Sequence, residues 1–296
     1  MKKTISIVIP IYNEELGIHE LCSRLTKLIN SLPQYTFEII TVENGSYDKS
    51  YNKLQTERKK DKRFKILQLA KNVGTDGGLM AGLTFANGEA VIMMNADLQD
   101  VPELIPHFLE KWQQGYEIVF GIVIKREQVK LSRRIGTFLF YKLIKFTSNN
   151  LVKENVSDFR LLDKKVYKQL LAMPEHDKFL RGLIIWTGFK YIGIPYNRPP
   201  RFAGESKAYF TTVMKVALNG LFSFSPIPFY IPYFFVLLSF IIAFIFLVFN
   251  QFENSLLSFF FACLFLVLGI ILEYVRRIFI ETQNRQQFII REKIGL

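Results

Sequence analysis

The N-terminal third of the chain alternates short apolar runs with stretches of helical hydrophobic spacing, and this alternation restricts the fold more than any other feature. Four runs rich in β-branched or other apolar residues predict buried strands: Ile5–Ile11, Phe37–Val42, Phe64–Leu69 and Ala90–Met94. Between the first two runs, leucine and isoleucine recur at helical spacing from Leu16 to Ile29. Strands that alternate with helices in this way predict an α/β fold, in which a mainly parallel sheet carries helices on both faces.

The fourth predicted strand ends abruptly in polar side chains that carry oxygen atoms. These acceptors are Asn95, Asp97, Gln99 and Asp100. In an open α/β sheet, ligands bind just beyond the carboxyl ends of the strands. Oxygen ligands of this kind suit Mg²⁺ or Mn²⁺ bound to a nucleotide diphosphate. The same residues could instead cap a helix that begins near Pro102, and this stretch alone leaves both interpretations open.

Polar residues follow the other predicted strands as well. Tyr12 and Glu14 come after the first strand, and Glu43 and Asn44 come after the second. A glycine-rich stretch, 72–78, follows the third. This stretch is a weak candidate for a phosphate cradle, because it lacks the lysine of a P-loop and because such stretches are more often plain turns.

The chain is strongly basic, with 38 Lys and Arg against 26 Asp and Glu and a net charge of +12. Such an excess suits nucleic acid, an anionic membrane face or anionic substrates. The long hydrophobic segments favour an anionic membrane face and anionic substrates, so no nucleic acid partner is predicted. A basic run from Lys125 to Arg134 precedes the aromatic-rich stretch Ile135–Phe146. This region is either an interfacial helix at lipid headgroups or a solvated face beside a core helix.

Two segments near the C-terminus carry no charged residue, Pro226–Phe249 and Leu256–Leu272. Each is long enough to cross a bilayer core. The connector between them has no Lys or Arg, whereas basic residues flank the outer ends, so the positive-inside rule predicts a hairpin with both termini in the cytoplasm. The predicted organisation is a cytoplasmic domain over 1–225, a membrane hairpin over 226–275 and a basic tail over 276–296. A pair of buried hydrophobic helices is the alternative, and the hairpin could also self-associate into a homo-oligomer.

Two further groups of charged residues are candidates for binding or catalysis. Asp158 and Arg160 lie in an otherwise apolar segment, either as a structural ion pair or with Asp158 as a catalytic base. Arg198, Arg201 and Lys207 lie among prolines and a glycine. That composition suits a loop that clamps phosphate oxygens, although a solvated loop has equal weight on composition alone.

These segments occur in the order found in one family. In sequence they are VIPIYNEE, VENGS, NADLQD, SDFRLLD, FLRGL, WTGF and PYNRPPRFAGESK, followed by the hydrophobic hairpin. Together they resemble the family-2 glycosyltransferases that charge a polyprenyl phosphate, the bacterial bactoprenol-phosphate enzymes akin to dolichol-phosphate mannose synthase. Any one motif is weak, but their order over nearly the whole chain is specific.

The resemblance implies a GT-A fold and an inverting transfer, from a nucleoside diphosphate sugar to polyprenyl (undecaprenyl) phosphate, at the cytoplasmic face of the membrane. The implied nucleotide-sugar site comprises Pro10, Tyr12, Glu14, Glu43, Asn95 and Asp97. The implied ligands of Mg²⁺ or Mn²⁺ are Asn95, Asp97 and Gln99. Asp158 falls on the acid that the family needs near the acceptor, with Asp97 as the second catalytic residue. The implied acceptor-phosphate site comprises Arg160, Arg198, Arg201 and Lys207.

The sequence departs from the family pattern where the donor and the metal are expected. Glu43 and Asn44 stand where two aspartates are usual, and Asn95 replaces the first aspartate of an Asp-x-Asp motif. Many bactoprenol enzymes also carry a lysine near Thr75. Because the Asn95 amide carries no negative charge, we expect weaker metal affinity. Two alternatives to the implied transfer follow: a membrane-anchored scaffold without catalysis, and a glycosyltransferase acting on another membrane glycolipid.

Overall fold

An eight-stranded mixed sheet forms the centre of the protein in a computed structural model. The structure describes residues 2–126, 156–175, 178–203, 253–283 and 285–296, with scattered positions between 232 and 244. The strands are β1 (Lys3–Ile11), β2 (Tyr35–Glu43), β3 (Phe64–Leu69), β4 (Ala90–Met93), β5 (Ile118–Arg126), β6 (Val156–Asp163), β7 (Tyr191–Arg198) and β8 (Ile290–Ile294). Their order is β7-β5-β6-β4-β1-β2-β3-β8, with β6 and β8 antiparallel to their neighbours. The four strands predicted from the apolar runs and the mainly parallel sheet are therefore confirmed.

Helices cover both faces of this sheet. They are α1 (Ile18–Asn30), α2 (Ser50–Lys60), α3 (Gly74–Thr84), α4 (Ile105–Gln113), α5 (Lys164–Ala172), α6 (Leu180–Trp186) and α7 (Glu253–Gln283). One hydrophobic core joins α1 and α4 to the sheet, and a second joins α3, α5 and α6 to the opposite face. The predicted helix opening at Pro102 begins as a short 3₁₀ turn, Pro102–Leu104, that leads into α4.

Alternation along β1 shows why the central strands are continuous apolar runs. Ile5, Ile7 and Ile9 belong to the core under α1, while Val8 belongs to the core under α3. Successive side chains of a strand point to opposite faces, and both faces are covered here. The apolar runs are therefore required by the three-layer architecture.

The topology brings many loops to one edge of the sheet. The parallel strands β1, β2, β3, β4, β5 and β7 all end there, so this edge is called the carboxyl edge. Because β6 is antiparallel, it begins at that same edge, where Arg160 pairs with Met93 of β4. At the β7 end of the strand order, Arg198 is the last residue of β7 and lies in register with Arg126, the last residue of β5. Residues that follow β1, β2 and β4 therefore meet the first residues of β6 and the last residues of β7.

The C-terminal segment adds a strand to the sheet, which the predicted boundary at 276 did not anticipate. α7 continues to Gln283, and β8 then pairs antiparallel with β3. The Tyr51 hydroxyl on α2 donates a hydrogen bond to Glu292. Ile290 and Ile294 pack against the two cores. The residues after α7 thus form the outermost strand of the sheet, beside β3, rather than a separate basic tail.

Among the described residues, one helix is long and apolar enough to cross a membrane, Phe259–Gln283, by length and composition. Its apolar window has a mean hydropathy of 2.1, and only 6% of this window is buried inside the protein. The first predicted span, Pro226–Phe249, lies largely outside the described residues, as does the predicted interfacial region Ile135–Phe146. The structure therefore supplies one candidate span and does not show the predicted hairpin.

Gly82 is required for the close packing of α3 on the sheet. A Cβ atom at this position would collide with the buried Val8 side chain and lie 3.0 Å from Cγ2 of Val42. We therefore expect Gly82→Ala to destabilise the protein by about 1–3 kcal/mol through overpacking. The apparent melting temperature of the detergent-solubilised protein measures this effect. Gly17→Ala is the control, because a Cβ atom there meets only ordinary contacts, the nearest being Ala96 O at 3.8 Å. Equal melting temperatures for the two variants would contradict the packing argument.

Candidate active site

Asp100 anchors the loop that follows β4. Its carboxylate is buried and accepts hydrogen bonds from the backbone N–H and the side-chain amide of Asn95, both at 2.9 Å. The hydroxyls of Ser157 and Tyr196 donate to its other oxygen at 3.0 and 3.2 Å. Burial raises the pKa of Asp100, and the nearby Arg198 opposes that rise. This carboxylate therefore joins the ends of β4, β6 and β7, a role the sequence did not reveal.

Asp97 and Gln99 connect the β4 loop to the loop that follows β7. The Gln99 backbone N–H donates to the Asp97 carboxylate at 3.2 Å, and the Gln99 side-chain amide donates to the Pro199 carbonyl at 3.2 Å. The backbone N–H of Phe202 donates to the Asp97 carbonyl at 3.3 Å. Leu98 adopts a left-handed backbone conformation, with φ of 60°. The predicted metal-binding loop is therefore held against the predicted phosphate-binding loop.

The oxygen atoms at the end of β4 fit a hard divalent cation that is shared with a substrate. The amide N–H₂ of Asn95 faces Asp100, which leaves the amide oxygen as the atom that could bind a metal. The Asp97 carboxylate is the second donor, 3.7 Å from a guanidinium nitrogen of Arg201. Within the described ranges, no group of three or more His, Cys, Asp and Glu side chains could hold a metal. Diphosphate and water oxygens would therefore have to complete the six ligands that Mg²⁺ requires.

The predicted nucleotide side is built from the loops after β1 and β2. The Ser46 and Ser50 hydroxyls accept hydrogen bonds from the backbone N–H groups of Asn13 and Glu14, at 3.0 and 2.9 Å. The Glu14 carboxylate pairs with Arg201, which links this side to the loop after β7. The rings of Tyr12 and Tyr47 meet edge to face at 6.2 Å, and Tyr47 is largely exposed. These loops are therefore held together by hydrogen bonds and form a partly aromatic surface beside the β4 loop.

Glu43 and Asn44, which stand where the family usually has two aspartates, are both buried and both fix turns. The Glu43 carboxylate accepts the backbone N–H of Ser46 at 2.5 Å. The Asn44 side chain accepts from the Val73 N–H at 3.0 Å and donates to the Gly74 carbonyl at 2.9 Å. An ionised aspartate has no donor and could not make the second bond. Asn44 therefore holds the glycine-rich turn after β3, which the sequence suggested only as a weak phosphate cradle.

Asp158 forms the centre of a cluster of arginines at the start of β6. The guanidinium of Arg181 donates to both of its oxygens at 2.7 Å, and Arg160 lies 3.6 Å away. Burial would raise the pKa of Asp158, but Arg181, Arg160 and Arg198 outweigh burial and hold this pKa well below its usual range. Asp158 therefore stays ionised at every physiological pH. Although Arg160 is closer to Asp158 in sequence, Arg181 is its principal partner.

Arg198 completes the cluster from the end of β7. Its Nε is buried and has no hydrogen-bond partner among the residues that the structure describes. A buried guanidinium donor without an acceptor costs free energy unless a ligand supplies one. An anion at this position would therefore satisfy the Nε–H and lie beside Asp158 and its arginines.

The structure brings most of the predicted residues to one edge of the sheet. These residues are Pro10, Tyr12, Glu14, Glu43, Asn95, Asp97, Gln99, Asp158, Arg160, Arg198 and Arg201. Lys207 lies outside the described residues. Arg181 was visible only as part of the FLRGL segment, and no local signal identified it as the partner of Asp158. An open cleft of about 760 Å³ at the opposite edge, lined by Lys3, Trp112 and Lys168 among others, contains none of the predicted residues.

Comparison with known proteins identifies the same family over most of the chain. The family described as Glycosyl transferase family 2 matches residues 6–171. An "Uncharacterized glycosyltransferase YkcC" of Bacillus subtilis is 34% identical over 98% of this chain and 94% of its own length. A "Prophage bactoprenol glucosyl transferase homolog" of Escherichia coli is 33% identical over 97% of this chain and 98% of its own.

A solved structure supports the fold assignment. Glucosyl-3-phosphoglycerate synthase from Mycobacterium tuberculosis, determined with Mn²⁺, UDP-glucose and phosphoglyceric acid, aligns with a TM-score of 0.52. The alignment covers 74% of this chain and 77% of the other at 14% identity, so it bears on the fold alone. The GT-A arrangement implied by the sequence resemblance is confirmed.

The contact between Asn95 and Asp100 gives a test of the β4 loop. In Asn95→Asp, two carboxylates would face each other where an amide now donates at 2.9 Å. We therefore expect the variant to lose about 1–3 kcal/mol of stability when divalent ions are chelated. Mn²⁺ with a nucleoside diphosphate should restore much of the loss, because the added charge strengthens metal binding. Melting temperatures with and without chelator measure both effects.

Asn52→Asp on the exposed surface of α2 is the control for the added charge. A melting temperature of Asn95→Asp equal to wild type in chelator would show that the contact with Asp100 contributes little. A variant that metal and nucleotide fail to stabilise would remove Asn95 from the proposed ligands.

Proposed function

The chain belongs to glycosyl transferase family 2, and we propose that this glycosyltransferase moves a sugar from a nucleoside diphosphate sugar to polyprenyl (undecaprenyl) phosphate at the cytoplasmic face of the membrane. Relatives named as bactoprenol glucosyl transferases, about a third identical over nearly the full length, support this acceptor. The observation that carries the proposal is the arginine cluster around Asp158, composed of Arg160, Arg181 and Arg198. It offers a second anion site directly beside the loop proposed to hold the donor diphosphate.

The donor is proposed to bind across the loops after β1, β2 and β4. Asn95 and Asp97 would hold Mg²⁺ or Mn²⁺, which supplies positive charge to the departing diphosphate when it is bound. The sequence resemblance assigns Arg201 to the acceptor phosphate, but Arg201 lies between Glu14 and Asp97. We therefore propose that its guanidinium turns toward the donor phosphate oxygens instead. Tyr12 and Tyr47 provide the aromatic surface on which a nucleotide base can stack.

The acceptor requires little proton transfer, because a lipid phosphate is already an anion near neutral pH. Asp158 is therefore proposed to orient Arg181 and Arg160 rather than to remove a proton. Its pKa lies far below the operating pH, which makes it a poor general base. The unpaired Nε of Arg198 supplies a further donor for a phosphate oxygen. The three guanidiniums then hold the nucleophile close to the anomeric carbon.

The proposed reaction is a single displacement that inverts the anomeric carbon. A phosphate oxygen of the lipid forms a bond to this carbon as the bond to the diphosphate oxygen breaks, and the nucleoside diphosphate leaves. The arrangement suits this geometry, because the donor loop follows β4 whereas the acceptor cluster comes from β6, α6 and β7. The main task of the protein is to bring two anions together and to stabilise the departing charge.

Membrane attachment would place the lipid phosphate within reach of this site. α7 is the candidate span, and β8 ties its C-terminal side to the carboxyl end of β3. The cluster lies at the same carboxyl ends of the strands, toward the other end of the strand order. We propose that this connection keeps the carboxyl edge of the sheet at the membrane surface.

A turnover assay tests the proposal. The full chain in detergent would be incubated with a panel of nucleotide sugars, Mg²⁺ or Mn²⁺ and undecaprenyl phosphate, and lipids would be analysed by mass spectrometry. We expect a glycosylated polyprenyl phosphate with one donor. Nucleotide binding without product from any donor would favour a scaffold instead. Sugar found on a different membrane lipid would show that the acceptor is wrong.

Arg198→Gln tests the acceptor site within the same assay. Loss of the guanidinium removes a charge-assisted hydrogen bond worth about 1.5–3 kcal/mol, so kcat/KM for undecaprenyl phosphate should fall at least about tenfold. Arg63→Gln is the matched control, because Arg63 pairs with Asp61 at the other edge of the sheet. Equal kinetics for Arg198→Gln and the control would exclude Arg198 from the acceptor site.

A further inference from the structure

Arg201 forms a bridge between two carboxylates that belong to different loops of the proposed donor site. One terminal nitrogen of its guanidinium binds the carboxylate of Glu14, on the loop after β1. The other terminal nitrogen lies 3.7 Å from the carboxylate of Asp97, on the loop after β4. The Arg201 side chain is 18% exposed and each acid is 15% exposed. Because little water separates these charges, they act strongly on one another.

The loop that carries Arg201 is also fixed to the β4 loop by other contacts. The backbone N–H of Phe202 donates to the Asp97 carbonyl at 3.3 Å. The side-chain amide of Gln99 donates to the Pro199 carbonyl at 3.2 Å. Neither contact involves the guanidinium. The end of the Arg201 side chain can therefore change its partner while the loop that carries it stays in place.

The bridge places Arg201 in competition with a divalent cation for the Asp97 carboxylate. Asp97 is one of the two oxygen donors proposed for Mg²⁺ or Mn²⁺. A guanidinium 3.7 Å away offsets its negative charge and repels an incoming cation. The other proposed donor, the amide oxygen of Asn95, carries no charge that could compensate. The bridge therefore weakens metal binding in the absence of a substrate.

A diphosphate offers Arg201 a stronger partner than the bridge does. The planar guanidinium donates two parallel N–H bonds to phosphate oxygens, and such bidentate pairs are among the strong hydrogen bonds of proteins. When the guanidinium turns to the diphosphate, the charge of Asp97 becomes available to the metal. Diphosphate binding and metal binding thus favour each other through one side chain.

We propose that Arg201 is a switch that couples metal binding to donor binding: it occupies Asp97 in the free protein and transfers to the diphosphate when donor and metal bind together. This inference rests on the proposed function, because it takes the β4 loop to be the site of a nucleoside diphosphate and a cation. The coupling factor is the ratio by which the diphosphate tightens metal binding. By linkage, the metal tightens diphosphate binding by the same ratio.

Binding measurements on the full chain in detergent test the switch without turnover. The affinity for Mn²⁺ is obtained from the electron paramagnetic resonance signal of the free ion, with and without UDP. The affinity for UDP is obtained by calorimetry, with and without Mn²⁺. GDP, CDP, TDP and ADP replace UDP in turn if UDP does not bind to wild type.

Arg201→Gln should change the two affinities in opposite directions. Mn²⁺ alone should bind about fivefold more tightly, because the competing charge is gone. UDP in the presence of Mn²⁺ should bind about tenfold more weakly, because it loses a charge-assisted hydrogen bond. UDP without metal should weaken only about twofold, since the variant has no bridge to break. The coupling factor should therefore fall about fivefold.

The coupling factor distinguishes a switch from a fixed charge. A guanidinium that kept its place would change the affinity for UDP by the same factor with and without Mn²⁺. The coupling factor of Arg201→Gln would then equal that of wild type, and this result would overturn the proposal. Arg63→Gln is the matched control, because Arg63 pairs with Asp61 at the other edge of the sheet, and it should retain the wild-type factor.

Glu14→Gln decides the question if Arg201→Gln does not fold. The guanidinium is then held by one carboxylate instead of two, so the coupling factor should fall about twofold. An unchanged factor in this variant would also overturn the switch. A wild-type protein that binds none of the five nucleoside diphosphates in the presence of Mn²⁺ would instead refute the proposed function, because the transfer requires that donor site.

Discussion

The bidentate ion pair between Asp158 and Arg181 is the interaction on which the proposed acceptor site depends. Removing a carboxylate and a guanidinium from water is costly, and good geometry with further charges is needed to offset that cost. Here both carboxylate oxygens are bound at 2.7 Å, and Arg160 and Arg198 add further positive charge. One ionised carboxylate thus holds several guanidiniums together that would otherwise repel one another. The surplus of positive charge is what a second anionic substrate requires.

Sheet topology explains how this pair comes to lie beside the donor loop. A fully parallel sheet would place the first residues of β6 at the edge opposite the β4 loop. Because β6 is antiparallel, Asp158 and Arg160 begin at the carboxyl edge, next to the residues that follow Met93. Asp100 then joins the β4 loop to Ser157 and Tyr196. The reversal of one strand therefore brings the proposed donor and acceptor sites together.

Local patterns predicted the parts of the fold that depend on neighbouring residues. Alternation and apolar runs identified β1 to β4, and the polar ends of those strands identified the edge where Asp97 lies. They could not identify contacts between distant segments. Arg160 was the obvious partner for Asp158 in sequence, whereas Arg181, twenty-three positions away, makes the bidentate contact. The structural roles of Asn44 and Asp100 and the pairing of β8 with β3 likewise depend on tertiary contacts.

A double-mutant cycle between Asp158 and Arg181 tests the central claim most directly. kcat/KM for undecaprenyl phosphate would be measured for Asp158→Asn, Arg181→Gln and the variant carrying both changes. If the two residues act as one unit, the double variant should lose about as much activity as the more damaging single change, which is a large coupling free energy. Losses that simply multiply would show that Asp158 and Arg181 act independently, and would contradict an acceptor site organised around their ion pair.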